Sequence, residues 1–299
     1  MYLGIEIGGT KLQLALGEAD GNLAALWRGG VNAAEGGEGI RKAIVAAIPE
    51  LLASAGVERG KVRGVGVGFG GPTDDATQSV IKSHHVDGWN NFPLAAWLSD
   101  VIGLSTVICN DADVACLGEA LHGAGAGFSP VFYITVGTGI GGGLVIDGEI
   151  YRGCGRGATE IGHLIVRGED ILESFAAGWG IEARMKADPR LNHSVRTVKE
   201  LAVLARTGNA AAREHIGTAV AALAEGIQQM IKLLCPRRLV IGGGVSLMGD
   251  DLFFDPLRRL LAAKEFPPFA GLTDVVPAAL GEEVVLHGAL ALAKRAFGR

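Results

Sequence analysis

Glycine-rich turns set at the ends of short β-like runs constrain this chain more than any other feature of it. Gly8-Gly9-Thr10-Lys11 lies between the apolar run Tyr2–Ile7 and the alternating run Lys11–Leu16. In the second run Leu12, Leu14 and Leu16 point one way, so the segment predicts a β-hairpin with a Gly-Gly-Thr turn. After Val62–Val67, the stretch Gly64 to Gly71 alternates glycine with bulky residues, which predicts a strand crowded on one face. Gly137-Thr138-Gly139-Ile140-Gly141-Gly142-Gly143 separates Val131–Val136 from Leu144–Ile146 as a second hairpin of the first kind, and Gly242-Gly243-Gly244 ends Arg238–Ile241. Glycine is needed where a backbone turns tightly or is approached closely. It makes up 47 of 299 residues here, against an average of roughly 7%. With no Gly-X-Y period and only 10 prolines, the excess excludes a collagen-like rod. A hydrophobic share of 48% against 20% charged residues excludes a disordered linker.

Helical periodicity fills the intervals. Ile216, Val220, Leu223, Ile227, Met230 or Ile231, and Leu234 follow a 3–4 spacing that stops before Pro236. Further helices are predicted over 38–55, 93–102, 112–124, 174–187, 196–206 and 284–297, with a kink or restart at Pro49. Strands, turns and helices alternate throughout, an α/β pattern, and the length fits two domains. Ile5–Leu16 and Ile134–Ile146 share one strand, turn, strand plan; a duplicated domain accounts for this, as does the general likeness of glycine hairpins. A net charge of −5 and the lack of a basic run speak against a nucleic-acid partner. The N-terminal segment has no signal-peptide pattern and no run of about 18 apolar residues occurs, so a cytoplasmic location without membrane insertion is expected. Cys109, Cys116, Cys154 and Cys235 form no Cys-x-x-Cys pair and read as buried reduced thiols.

A Gly-Gly-Thr turn presents backbone N–H groups where no Cβ blocks approach, which suits a polyphosphate, and two such turns facing each other would form a clamp. The cluster after Arg238–Ile241 lets a flat adenine or ribose lie against the backbone. Neither a Walker pattern nor a strand-to-helix Gly-x-Gly-x-x-Gly is convincing. Asp111 falls between the strand Ser105–Cys109 and a helix, where it can offer a carboxylate to a hydroxyl or cap the helix. Asp113 makes an Asp-x-Asp, and a first-turn acid complementing the helix dipole is the role it fits better than a metal ligand.

In their order along the chain these motifs resemble the ROK family of sugar kinases, within the actin-like ATPase superfamily that includes hexokinases. Ile5-Glu6-Ile7-Gly8-Gly9-Thr10-Lys11 resembles the first phosphate motif, Ile134 to Gly143 the second, and Leu239 to Ser246 the adenosine motif. Cys109-Asn110-Asp111-Ala112-Asp113 is similar to the element that carries the catalytic base, and Glu160-Ile161-Gly162-His163 to the Glu-x-Gly-His sugar signature. The resemblance implies two actin-like (ribonuclease H-like) α/β domains with a nucleotide- and sugar-binding cleft, spanning 1–113 with 284–299 and 114–283. It implies ATP and Mg²⁺, with Asp111 as general base for the 6-hydroxyl of a hexose, glucose first. Gly71, Asn110, Glu160, His163 and Glu173 would surround the sugar. Gly8, Gly9, Thr10 and Lys11, then Gly137, Thr138 and Gly139, would serve the phosphates, Glu6 through water the Mg²⁺ held mainly by them, and Gly242, Gly243 and Gly244 the nucleoside. A homodimer is implied as well.

Three departures stand out. Glu6 occupies a place where the family carries Asp, at a site expected to orient hydrated magnesium. His163 is followed by Leu164 to Glu173 without a cysteine, so no structural zinc is expected. His85-Val86-Asp87-Gly88-Trp89 replaces a typical Asn-Leu-Pro-Gly-Trp run and reads as a loop at the cleft rim, His84-His85 being a poor ligand pair. Kinases of N-acetylmannosamine, N-acetylglucosamine or fructose are alternatives. A non-catalytic sugar sensor is another, although a repressor of this family needs an N-terminal helix-turn-helix.

Overall fold

The computed structural model describes residues 1–83, 86–168, 170–191, 195–264 and 267–298, the side chain of Ala33 excepted. His84 and His85, read above as a poor metal pair, lie outside them. The chain divides into two compact units: Met1–Gly127 with Gly143–Ala158 and Ala279–Arg299, and Phe128–Gly142 with Thr159–Ala278.

The first unit opens with β1 (Tyr2–Ile7), β2 (Lys11–Gly17), β3 (Ala25–Gly30) and α1 (Gly36–Ser54). There follow β4 (Val65–Phe69), the short β5 (Thr73–Asp74) and β6 (Ser79–Val80), α2 (Leu94–Ile102), β7 (Thr106–Asn110) and α3 (Asp111–His122). Its sheet runs β3-β2-β1-β4-β7, antiparallel across the first three strands and parallel from β1 through β4 to β7. Strand side chains alternate between faces. Leu3, Ile5, Ile7, Leu12, Leu14 and Leu16 share one core with Ile40, Ile44 and Leu51 of α1 and with Trp89 and Leu98.

Beyond these elements come β8 (Val131–Val136), β9 (Ile140–Ile146), β10 (Glu149–Ile150), β11 (Ile165–Val166) and β12 (Asp170–Ile171). The helices α4 (Leu172–Ala176), α5 (Gly178–Ala187), α6 (Val198–Arg206) and α7 (Ala210–Leu234) precede β13 (Arg238–Gly242), α8 (Asp255–Ala263) and β14 (Asp274–Pro277). The terminal helix is α9 (Val284–Phe297). The second sheet runs β10-β9-β8-β13-β14, with β8, β13 and β14 parallel. Counting strands in order of appearance, both sheets follow 3-2-1-4-5, which is the topological form of the likeness between the two glycine hairpins.

The other face of the first sheet belongs to α9, which packs on β1, β4 and α3. Glycine makes this approach possible. A Cβ at Gly66 would overlap the carbonyl oxygen of Ala289, one at Gly68 the side chain of Val285, and one at Gly64 the ring of Phe297. Those are the glycines whose alternation predicted a crowded strand. The same holds between the helices: a Cβ at Gly288 would overlap the carbonyl of Val114, and one at Gly118 would stand 2.6 Å from the carbonyl oxygen of Val284.

Several expectations need correction. Of the kink or restart expected at Pro49, the restart does not occur, α1 running on through it; Val45, whose carbonyl loses its partner, lies on the exposed face where water can replace it. The helix predicted over 174–187 is two helices, because extended backbone at Ala177 lets the Gly178 N–H reach the carbonyl of Gly137 at 2.8 Å. Cys109 and Cys116 are buried, Cys235 is half-buried and Cys154 is exposed, so the thiols are not uniformly interior. Trp89 is no rim residue: it is fully buried, edge-on to Phe69 at 5.1 Å and to Phe92 at 5.4 Å. Among the described residues no helix is long and apolar enough to cross a membrane.

Gly288→Ala is expected to destabilise the chain by about 1–3 kcal/mol, the usual range for forced overpacking. Gly217→Ala, on the exposed side of α7 with open space around it, should stabilise by about 0.5–1 kcal/mol through backbone entropy and helix propensity. Denaturant midpoints of the two variants test both signs.

Candidate functional site

In the first unit the Gly8 N–H donates to the Lys11 carbonyl at 2.9 Å and closes the first glycine turn. Glu6 stands opposite Gln13 in the β1–β2 register and is almost completely buried. Its Oε1 meets Lys11 Nζ at 2.9 Å and its Oε2 accepts from Gln13 Nε2 at 3.2 Å. Burial pushes the Glu6 carboxyl above its ordinary pKa, against the pull of Lys11. Lys11 and Gln13 also donate to the Glu282 carbonyl, at 3.3 and 3.4 Å.

Where β7 runs into α3, Asn110 is the N-cap. Its Oδ1 accepts from Ala112 N at 2.9 Å and Asp113 N at 3.3 Å, and its Nδ2 donates to the Gly71 carbonyl at 3.1 Å. The capping alternative for Asp111 therefore falls away: Asp111 is the first helical residue and its neighbour does the capping. The Asp111 carboxyl is pushed up to about 7, first by loss of hydration and then by the negative charge of Glu6. Gly70 shows how close these parts lie. Its N–H donates to the Ile7 carbonyl at 2.8 Å, and a Cβ on it would be 3.3 Å from Asp111 Oδ2 and 3.5 Å from Gly8 Cα. The Gly8–Lys11 turn, the Gly70–Gly71 loop and the Asp111 carboxylate thus share one corner of this unit. Asp113, expected as a dipole-complementing acid, is fully buried and paired with Arg152.

In the second unit the Gly137 N–H donates to the Gly139 carbonyl at 2.9 Å, and Val245 N donates to the Val136 carbonyl at 2.9 Å. The turn after β8 and the glycines after β13 are therefore adjacent. Gly243 makes this contact at φ 88°, and a Cβ there would come within 2.5–2.6 Å of the Val136 backbone. Gly137 and Gly244, by contrast, leave open space where a side chain would begin. Glu173 leans on the same turn: its Oε2 accepts from Ile140 N at 2.7 Å and its Oε1 from Trp179 Nε1 at 3.3 Å. Trp179 N reaches the Thr138 carbonyl at 3.4 Å. Glu160 and His163 are both exposed, with His163 Nδ1 3.5 Å from Glu160 Oε2, and a Cβ at Gly162 would overlap the Ile140 carbonyl, which seats their turn on β9.

Glu6, Gly8, Lys11, Gly71, Asn110 and Asp111 are thus gathered in one unit, and Gly137–Gly139, Gly242–Gly244, Glu160, His163 and Glu173 in the other. Sequence reasoning missed Gln13, Arg152 and Trp179. Gln13 is the polar residue between Leu12 and Leu16, on the face opposite the leucines, which was a signal; Arg152 stands in a glycine-rich loop and Trp179 in the first turn of α5 between Gly178 and Gly180, with no pattern to mark them. Among the described residues no group of three or more His, Cys, Asp or Glu is placed to hold a metal ion.

A profile described as the ROK family matches residues 2–296. A glucokinase of Halalkalibacterium halodurans is 31% identical over 96% of this chain and 93% of its own. Among solved structures, a ROK hexokinase from Thermus thermophilus superposes with a TM-score of 0.84 at 28% identity, covering 99% of this chain and 98% of that one. A ROK family glucokinase from Streptomyces griseus, in complex with glucose and AMPPNP, superposes with a TM-score of 0.80 at 29% identity over 98% of this chain and 99% of that one. These likenesses carry the fold as two actin-like α/β domains.

Gly243→Ala is expected to cost at least about 2 kcal/mol, from the positive φ and the Val136 contact together. Gly244→Ala, with room for the methyl, should stay within about 0.5 kcal/mol of wild type. Urea unfolding of the pair separates a glycine needed by the fold from one that leaves room for a ligand.

Proposed function

Since the chain belongs to the ROK family, we propose that it is an ATP-dependent sugar kinase that phosphorylates the 6-hydroxyl of a hexose, glucose first, with Asp111 as general base. The observation that carries the reading is the corner in the first unit, where a carboxyl pushed up to about 7 by loss of hydration and by Glu6 stands beside a glycine turn and a backbone loop. Phosphoryl transfer to an alcohol asks for alignment, charge neutralisation and an acceptor for one proton. Asp111 accepts that proton as the sugar oxygen attacks the γ-phosphorus, and near neutral pH its basicity suits the transfer. Relatives at 29–31% identity include two glucokinases, one of them holding glucose and AMPPNP, which supports the choice of sugar and donor.

The residues fit a nucleotide. Open space at Gly137 and Gly244 leaves the backbone approachable, and Lys11 offers a partly exposed ammonium. Gly8, Gly9, Thr10 and Lys11 with Gly137, Thr138 and Gly139 would hold the phosphates, and Gly242–Gly244 the nucleoside. Both oxygens of Glu6 already have donors, so Glu6 suits an outer role, through water, toward a Mg²⁺ carried mainly by the ATP phosphates. When bound, Mg²⁺ screens the phosphate charge. Asn110 fixes the Gly71 carbonyl and the start of α3, while Glu160, His163 and Glu173 supply acceptors and a donor for sugar hydroxyls.

Asp111→Asn should abolish phosphorylation while leaving sugar binding within a few-fold. In the wild type kcat/KM should rise with pH through about 7 as Asp111 ionises. The same substitution should stabilise the fold. A carboxyl whose folded pKa is raised binds more protons in the native state, so it costs stability as pH climbs from its unfolded value, and fully so above about 7. Asp111→Asn removes that cost, and melts at pH 4 and pH 8 should show the gain only at the higher pH. An ATP-coupled assay over hexoses and N-acetylhexosamines checks the substrate: sugar binding without turnover would overturn the kinase reading in favour of a sensor, and a preferred N-acetylhexosamine would overturn glucose.

A further inference from the structure

We infer that Arg152 is a positioning residue for Asp111, locking the first turn of α3 to the loop that follows Gly71. The inference rests on the reading of Asp111 as the catalytic base. Arg152 follows β10, and its side chain is only 12% exposed. Its Nε lies 3.1 Å from each carboxylate oxygen of Asp75, and its Nη2 donates to Asp75 Oδ1 at 2.8 Å, Thr73 Oγ1 at 3.1 Å and the Thr73 carbonyl at 3.3 Å. Its Nη1 pairs with Asp113 Oδ2. Thr73 stands two residues beyond Gly71, and Asp113 two beyond Asp111.

Two ties therefore join loop and helix turn: Asn110 through its bonds to Gly71, Ala112 and Asp113, and Arg152 through Thr73, Asp75 and Asp113. A planar fork holds its five donors in fixed directions toward these three partners, whereas an ammonium is a compact point charge whose three donors rotate on a flexible stem. The arrangement also sets the charge around Asp111. Glu6 on β1 and Asp113 on α3 both oppose its ionisation. Lys11 on β2 faces Glu6, as do Glu282 and Glu283 ahead of α9, while Arg152 and, beyond it, Asp75 face Asp113. Arg152 balances one of the two negative neighbours. A cavity of about 340 Å³ opens onto Arg152 and Asp75, floored by Cys109, Leu117, Ile150 and Leu292. Removal of the side chain would leave its space continuous with that cavity.

The 299-residue chain is assayed at saturating ATP and sugar as Arg152→Ala, Arg152→Lys and Arg152→Ala with Asp113→Asn. In Arg152→Ala, folded by thermal melt, kcat should fall at least about tenfold, since small misplacements of a reacting group are costly. Its acid limb should move to higher pH, because the unbalanced Asp113 disfavours ionised Asp111. Adding Asp113→Asn should return the limb to its wild-type place. Millimolar guanidinium, entering through the cavity, should restore part of kcat where sodium chloride of equal ionic strength does not. Arg152→Lys, with the charge kept and the fork lost, should lose kcat with little movement of the limb, and it carries the test if the alanine variant fails to fold. Folded Arg152 variants with wild-type kcat, or a loss in Arg152→Ala with an unmoved limb and no guanidinium response, would overturn the positioning role alone. A wild type that phosphorylates no sugar would overturn the base assignment with it.

Discussion

The close seating of α9 against the first sheet and α3 is the constraint on which the rest of the first unit depends. Gly64, Gly66 and Gly68 on β4, and Gly118 against Gly288 between the helices, remove the Cβ atoms that would hold the surfaces apart. The approach brings the chain just ahead of α9 to the first glycine turn, where the Glu282 carbonyl accepts from Lys11 and Gln13 and Glu283 pairs with Arg28. Buried Glu119 fixes the entry to that segment. Its Oε1 accepts from Ala279 N and Leu280 N, each at 2.9 Å, and its Oε2 accepts from Ala124 N at 2.7 Å. A packing contact of the last helix thereby bears on the geometry of the Gly8–Lys11 turn near the start of the chain.

That geometry carries an electrostatic cost. Glu6, Asp111 and Asp113 crowd into a poorly hydrated corner, and burial raises the first two above their ordinary pKa values. Lys11 offsets Glu6 and Arg152 offsets Asp113, whereas Asp111 is titrated near neutrality. A carboxyl raised in this way is kept at the expense of stability, as perturbed groups at functional sites commonly are.

Much of this was legible in the chain. The turns at Gly8, Gly137 and Gly242, the helix that starts at Asp111 and the crowding of β4 all follow from local spacing, because glycine and alternation report directly on backbone geometry. The segment that holds Asp111 was readable as a motif, but the choice of Asn110 rather than Asp111 as the cap was not, since either side chain can cap. Strands β3 and β14 escaped notice as short, partly exposed edges, one ending in Pro277. Trp89 was misread because a polar neighbourhood, with Asp87 and Gly88 before it and Asn90 and Asn91 after it, hid a ring that packs between Phe69 and Phe92.

By itself, then, the sequence determined where the backbone must turn, which strands pair as hairpins and which family the motifs match, since each depends on residues close together in the chain. Only the tertiary structure decided what individual glycines are for. Gly64, Gly66, Gly68, Gly118 and Gly288 clear the way for α9 rather than for a ligand, and distinguishing the two uses requires knowing which atom lies opposite the missing Cβ: the Ala289 carbonyl at Gly66, open space at Gly244. The same holds for Asp111, whose pKa depends on Glu6, more than a hundred residues earlier in the chain. Burial and charge are properties of neighbours in space, and those neighbours are settled by packing.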